Sequence, residues 1–153
     1  IRQVIRSVDN NLLLLIVTSL ALGSVIQITG TANFLSQSLI DFLGESSPLV
    51  LLLCFYMLVS ITTNFISNNA CAVLFTPIAI DIAEKINVDP KIFAIALIFA
   101  VNTSFVTPLA YQTNLLVMGP GHYKFIDYVK FGLPLTVLCW IVFFITFPLF
   151  YKL

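Results

Sequence analysis

The chain has 153 residues, of which 59 % are hydrophobic and only 9 % are charged, with seven basic residues balancing seven acidic ones. A soluble domain carries about 25 % charged residues, so this composition cannot give a globule a solvated surface and excludes a soluble domain. The balanced charge also excludes the basic face that nucleic-acid binding requires, and no nucleic-acid partner is expected.

The charged residues leave four long uncharged stretches, at positions 10–40, 46–80, 92–123 and 131–151. Each of them is long enough for a membrane helix, which needs roughly 20 apolar residues to cross a bilayer. The sequence therefore predicts an all-α integral membrane protein. Because no Met precedes Ile1, we also expect the chain to be an internal or C-terminal piece of a larger protein.

The first uncharged stretch predicts two helices of different kinds. Residues 11–28 form an apolar run that is long enough to span the membrane, and Gly30 ends it. Residues 31–42 place apolar side chains at helical spacing and polar side chains on the other faces. This second pattern indicates a short amphipathic helix lying at the membrane interface.

A polar segment interrupts the second uncharged stretch. Residues 48–59 are apolar, residues 60–70 are rich in Ser, Thr and Asn, and mostly apolar sequence resumes over residues 70–80. As a helix, this last part would be only about 16 Å long, which is too short to cross a membrane. We therefore predict a re-entrant helical hairpin over residues 48–86, with the polar segment at a tip whose backbone is satisfied by protein or water.

The distribution of basic residues leaves an alternative topology open. With the hairpin, four basic residues share one membrane face and three share the other. If residues 48–80 cross the membrane once instead, the ratio becomes five to two. The positive-inside rule mildly favours this single crossing, whereas the length of the second arm favours the hairpin.

A second polar segment, residues 102–114 (NTSFVTPLAYQTN), follows an apolar run and has Pro108 at its centre. Proline removes a backbone donor and disfavours helix at the preceding residue, so we predict a broken helix over residues 91–118. Residues 119–128 are predicted to form a turn and an interfacial segment with Tyr123 and Tyr128 near the headgroups. Residues 131–151 are predicted to form the last membrane span.

Together, the two polar segments contain groups that can bind a sodium ion and an anion. Ser, Thr and Asn oxygens with freed backbone carbonyls can replace the water shell of a sodium ion, and the N-termini of half-helices can receive an anion. Discontinuous helices at the membrane midplane point to the binding site of a transporter. In the alternative interpretation, these side chains only join helices through hydrogen bonds. No HExxH, GxSxG or Walker A motif is present, so an enzyme or a nucleotide-driven pump is not expected.

Residues 63–70 (TNFISNNA) and 106–121 (VTPLAYQTNLLVMGPG) resemble the C-terminal repeat of the divalent-anion:sodium symporter family. This family belongs to an ion-transporter superfamily that also contains citrate and arsenite permeases. The resemblance runs from about Asn11 to Lys152 and is greatest to members with TrkA-C-type regulatory domains. It implies two inverted repeats, each with a re-entrant hairpin and a broken helix, and an elevator motion of a homodimer in the lipid bilayer.

The same resemblance implies how the chain divides. Residues 1–44, with the first span and the interfacial helix, would belong to the scaffold side, and residues 45–153 would belong to the transport side. The N-terminal repeat, which is missing from this chain, would supply the second sodium site and half of the anion site.

The resemblance also implies the binding residues. The anion would be faced by residues of both polar segments: Ser67, Asn68, Asn69, Thr107 and Pro108. One sodium ion would be held by Thr63, Asn68 and the backbone near Ile66 and Val106. Two departures from the family pattern leave sulfate or another small oxyanion open beside a dicarboxylate. Asn69 replaces a Thr of the hairpin motif, and Leu109 stands where dicarboxylate-type members tend to have a second Pro.

The expected function is the C-terminal half of a secondary active transporter that couples sodium to the uptake of a small divalent anion, sulfate or a dicarboxylate. Sodium would be the coupling ion, with no other metal or cofactor, and a bacterial inner membrane would be the location. Two alternatives stay open. One is an arsenite/metalloid or citrate-type permease of the same superfamily, and the other is a non-transporting membrane subunit whose polar segments only join helices.

Overall fold

The computed structural model describes residues 17–18, 21–22, 24–43 and 47–151, with only the backbone for Gln112. Residues 24–28 are helical, and the helices that follow are α1 (Thr31–Leu43), α2 (Pro48–Thr62), α3 (Asn68–Lys85), α4 (Pro90–Val101), α5 (Gln112–Met118) and α6 (Phe125–Phe150). No strand occurs among these described residues, in agreement with the predicted all-α class. Most of the span predicted over residues 11–28 lies outside the described residues.

Helices α2 and α3 form an antiparallel hairpin. Phe55 and Phe75 lie equally far from the residues that join the two helices, and their rings are in edge-to-face contact with centroids 6.1 Å apart. This pairing requires the chain to reverse between the arms, at residues 63–67, which we call the hairpin tip. A single helix crossing over residues 48–80 is therefore excluded, while the re-entrant position of the hairpin in a membrane stays a prediction.

The second arm of the hairpin is longer than predicted. Helix α3 has 18 residues and is about 27 Å long, so the prediction of a short arm over residues 70–80 is wrong. At its start, the Ser67 side chain accepts a hydrogen bond from the backbone N–H of Ala70, which brings Asn68 and Asn69 into the first turn. At its end, Asp81 and Lys85 form an i,i+4 ion pair. The antiparallel packing, rather than arm length, is what supports the hairpin.

Helix α4 packs against both arms and leads into the predicted interruption. The ring centroids of Phe93 and Phe55 are 5.8 Å apart near its start, and Val101 at its end is hydrogen-bonded to Thr63. Helix α4 therefore runs parallel to α2. Residues 102–111 are not helical before α5 begins, which confirms the predicted interruption; we call these residues the helix break.

A polar cluster joins α1 to the far end of α3. Ser36 of α1 is fully buried and donates a hydrogen bond to the Asp81 carboxylate. The ammonium group of Lys85 donates to the Ser36 hydroxyl over 2.7 Å and to the backbone carbonyl of Asn33 over 3.2 Å. The axes of α1 and α2 differ by 119°, so α1 is a separate short helix, as predicted, packed on the hairpin.

Among the helices of the described residues, α6 alone is long and apolar enough to cross a bilayer by itself. It begins at Phe125, six residues before the predicted start at position 131, so residues 125–128 form its first turn. The cause is local, because the Asp127 carboxylate accepts a hydrogen bond from the backbone N–H of Lys124 over 2.8 Å and caps the helix. The interfacial position of residues 119–128 stays a prediction.

Candidate functional site

The hairpin tip contacts the region of the helix break through polar residues at the end of α2 and just after it. Ser60, Thr63 and Asn64 are all buried and share one face of this helix end, at helical spacing. The Thr63 hydroxyl donates to the carbonyl oxygen of Val101, 3.1 Å away, at the last residue of α4. The two polar segments singled out by the sequence are thus brought together in the fold.

Asn64 makes the most extensive connection between these segments. Its side-chain oxygen accepts a hydrogen bond from the backbone N–H of Val106 over 2.9 Å, and its backbone carbonyl accepts one from the Thr107 hydroxyl. Its amide nitrogen donates to the carbonyl of Ser60 over 2.7 Å. Asn64 was not among the predicted site residues, although the polar face it shares with Ser60 at an i,i+4 spacing could have indicated it.

A chain of hydrogen bonds attaches α6 to the same region. The indole N–H of Trp140 donates to the Ser60 hydroxyl over 2.7 Å, and the hydroxyl oxygens of Ser60 and Thr103 are 2.5 Å apart. The Thr103 hydroxyl also bonds the carbonyl of Ala100 over 2.6 Å. Because the Thr103 hydroxyl donates its hydrogen to the Ala100 carbonyl, the Ser60 hydroxyl must be the donor to Thr103. Each of the two hydroxyls therefore accepts one hydrogen bond and donates another.

The side chain of Asn114 in α5 bonds backbone carbonyls of the helix break, and a side chain of α6 bonds the backbone of α5. The Asn114 amide donates to the carbonyl oxygens of Ser104 and Thr107, at 3.2 Å and 3.3 Å. The Tyr128 hydroxyl in turn donates to the carbonyl of Asn114 over 2.7 Å. Non-helical backbone at membrane depth needs internal partners of this kind, and Asn114 supplies them for two carbonyls of the break.

A cleft of about 460 Å³ opens between the hairpin and the break. From the hairpin it is lined by Ser67, Asn68 and Asn69, and from the break by Leu109, Ala110 and Tyr111. The backbone N–H of Asn68 lies 3.4 Å from the carbonyl oxygen of Ala110, which joins the two walls. Three of the five residues predicted to face the anion therefore share one cleft.

The electrostatic character of this cleft comes from a helix terminus. Helix α3 begins at Asn68, so its N-terminus, which carries partial positive charge, faces the cleft. The first three N–H groups of α3 already have acceptors: the Ala110 carbonyl for Asn68, the Asn68 side chain for Asn69 and the Ser67 hydroxyl for Ala70. Side-chain donors and the helix dipole are therefore what the terminus offers a ligand. None of the described residues that line the cleft is charged.

The other predicted site residues lie behind the cleft or beside it. Thr107 and Pro108 are buried and are not among the lining residues, and the Thr107 hydroxyl is bonded to Asn64. Thr63 is fully buried, whereas Ile66 is 41 % exposed at the tip. Val106 is half-buried between these groups. The binding roles assigned to these residues stay predictions.

Comparison with known proteins gives a family and several relatives. A family model described as "Citrate transporter" matches residues 1–153. Over 117 residues the chain is 40 % identical to the uncharacterized transporter sll0640 of Synechocystis sp., covering 76 % of this chain and 19 % of that protein. Over 137 residues it is 36 % identical to the uncharacterized transporter YfbS of Escherichia coli, covering 90 % and 22 % respectively.

A more distant relative has a more specific name. Sodium/sulfate cotransporter 1 of Chlamydomonas reinhardtii is 26 % identical over 140 residues, which cover 91 % of this chain and 16 % of that protein. The chain thus spans about a fifth of the length of the curated relatives it matches.

Proposed function

This chain belongs to the Citrate transporter family, and we propose that it forms the C-terminal half of a secondary active transporter that couples sodium entry to the uptake of a small divalent anion. The family assignment confirms the resemblance to the ion-transporter superfamily, and the relatives are named as transporters rather than enzymes. The observation that carries the proposal is the cleft in which the N-terminus of α3 faces the helix break.

The anion would bind at the start of α3. The hydroxyl of Ser67 and the amides of Asn68 and Asn69 can donate hydrogen bonds there, and the helix dipole adds positive potential without a charged side chain. An amide at Asn69 offers two donors where a threonine offers one, which suits the oxygen atoms of sulfate as well as those of a carboxylate. The name of the Chlamydomonas reinhardtii sodium/sulfate cotransporter supports sulfate as a substrate to be tested.

The sodium ion would bind where the tip and the break approach each other. Thr63 and Asn68 would supply side-chain oxygens, and Ile66 and Val106 would supply backbone carbonyls. What supports this position is the closeness of the two segments, since the hydrogen bonds between Asn64 and Val106 and between Thr63 and Val101 bring them into contact. Uncharged oxygen ligands of this kind suit a hard cation and do not neutralise it, so the positive charge of a bound sodium ion would favour the anion beside it.

The remaining features of the proposal concern the whole protein. A second, inverted repeat would complete the anion site and provide the other sodium site, so this half would not transport by itself. Two copies of the full protein would form a homodimer in a bacterial inner membrane. Residues 45–153, including Thr107 and Pro108 beside the anion, would move relative to the scaffold in an elevator-type cycle.

The direct test is uptake of labelled sulfate and succinate by the full-length protein in liposomes, with and without a sodium gradient. The variant Asn68→Ala should abolish sodium-driven uptake and still insert into the membrane. Asn102→Ala is a matched control, because Asn102 is exposed, does not line the cleft, and its side chain donates only to the Ile98 carbonyl of the preceding helix α4. Normal uptake by the Asn68→Ala variant would refute the assignment of the cleft.

A second candidate is a permease of the citrate type, which the description of the matching family favours. Uptake of labelled citrate in preference to sulfate and succinate would support it. Metalloid efflux without any sodium requirement would point instead to the arsenite branch of the superfamily.

If the chain belongs to a non-transporting subunit, Ser67→Ala and Thr107→Val should change the stability of the protein, and an anion should not protect it against unfolding.

A further inference from the structure

We propose that Asn64 and Gly132 are positioning residues that hold the backbone of residues 105–107 in the helix break, and that they thereby set the affinity for the coupling ion. The inference rests on the proposed function, because it concerns the segment that would contribute the Val106 carbonyl to sodium. Neither residue is assigned a contact with the ion itself.

Gly132 allows α6 to approach the break more closely than any other residue would. A Cβ atom at this position would lie 2.1 Å from the carbonyl oxygen of Phe105 and 2.9 Å from the Cα of Val106. Because carbon and oxygen atoms ordinarily approach no closer than about 3.3 Å, alanine would force the two segments apart by about 1 Å. A glycine inside a helix weakens it relative to alanine, and this close approach gives a physical reason for its presence.

From the hairpin, Asn64 holds two of these three residues, Val106 and Thr107. It accepts the hydrogen bond from the Val106 N–H at 2.9 Å and also the bond from the Thr107 hydroxyl. Its own orientation is fixed by the bond from its amide to the Ser60 carbonyl and by burial, since only 5 % of the residue is exposed. The break is thus held by hydrogen bonds to Asn64 of the hairpin and by close backbone contact with α6 at Gly132.

This double attachment matters for ion binding because a coordination shell tolerates little displacement. Binding groups have to be held within about 0.5 Å of their productive positions. The shift of about 1 Å that a methyl group at position 132 would impose exceeds this tolerance. A change at either residue should therefore act on sodium affinity through the position of the break.

The first experiment compares Gly132→Ala with Gly119→Ala in the full-length protein. Gly119 is a matched control, because a Cβ added there meets no atom within 4 Å. The half-saturating sodium concentration for anion uptake should rise about tenfold or more in Gly132→Ala, the usual loss of metal affinity when a residue that orients the ligands is changed. It should stay within about twofold in Gly119→Ala, the error expected for an uncoupled site. An unchanged sodium dependence in Gly132→Ala would overturn the proposal.

The second experiment reads the position of the break without any transport. Hydrogen exchange of the peptides covering residues 102–108 reports on the Val106 N–H, which Asn64 protects. Exchange should be at least about fivefold faster in Asn64→Ala, which loses the acceptor, than in the parent protein. Equal exchange rates in Asn64→Ala and the parent protein would overturn the positioning role. This test does not depend on whether Gly132→Ala folds.

The two experiments separate this inference from the proposed function. If the parent protein takes up anion with no sodium dependence, the proposed function fails and the sodium part of the inference fails with it. If the parent depends on sodium while both variants behave as the parent does, only the positioning role is refuted.

Discussion

Replacing Ser60 by alanine tests the hydrogen-bond chain that links α6, α2 and the helix break. The Ser60 hydroxyl accepts from the Trp140 indole at 2.7 Å and bonds the Thr103 hydroxyl at 2.5 Å, so Ser60→Ala removes two interactions between elements. Hydrogen bonds between membrane helices contribute about 0.6 kcal/mol on average and at most about 1.7 kcal/mol. We therefore expect the free energy of unfolding to fall by roughly 1–3 kcal/mol.

The assay is equilibrium unfolding of the full-length protein in detergent micelles. Ser38→Ala is a matched control, because Ser38 is exposed and its hydroxyl bonds only the Phe34 carbonyl of its own helix. A double-mutant cycle of Ser60→Ala with Trp140→Phe isolates the bond between these two residues, since the lost indole volume cancels in the cycle. The coupling energy should be about 0.6–1.7 kcal/mol.

Two results would refute this reasoning. Destabilisation by Ser60→Ala no larger than that by Ser38→Ala would mean that the buried hydroxyl contributes nothing beyond a local bond. A coupling energy within about 0.3 kcal/mol of zero would mean that Trp140 and Ser60 act independently in the folded protein.

Two further predictions concern helix packing. Lys85→Met removes the hydrogen bonds from Lys85 to α1, while the bond from Ser36 to Asp81 remains, and it should lower the free energy of unfolding by about 1 kcal/mol. Lys91→Met, at an exposed position, should change it little. An equal effect of both variants in detergent unfolding would contradict the packing of α1 on the hairpin. Phe93→Ala leaves a cavity at a fully buried position and should cost about 3 kcal/mol or more, against less than about 1 kcal/mol for the exposed Phe34→Ala. Thermal unfolding that does not separate these two variants would contradict the burial of α4 between the arms.

Most of the helices could be predicted from the sequence, because uncharged stretches and prolines mark where they begin and end. The predicted bounds of α1 and the start of the break at position 102 agree with the structure. Helices α3 and α6 start earlier than predicted because Ser67 accepts a hydrogen bond from the N–H of Ala70 in the first turn of α3, and Asp127 accepts one from the N–H of Lys124, the residue before α6. A polar residue that caps a helix marks the start of that helix, although polar residues of this type are also typical of loops.

The site was predicted only in part. The sequence singled out Ser67, Asn68 and Asn69, which line one cleft, because a run of polar side chains inside an apolar stretch needs partners. It did not indicate Asn64, whose partner Val106 is 42 positions away along the chain. No local pattern relates two such residues, since their contact depends on how α2 and α4 pack.

The all-α class, the low charge and the two polar interruptions can be read from the sequence alone, because hydrophobicity and helix breakers act locally along the chain. The contact between the tip and the break, the bond between Asn64 and Val106, and the approach of α6 to Phe105 at Gly132 are visible only in the folded chain. Hydrogen bonds and van der Waals contacts depend on distances in space, and residues distant in sequence come within those distances only when the helices pack.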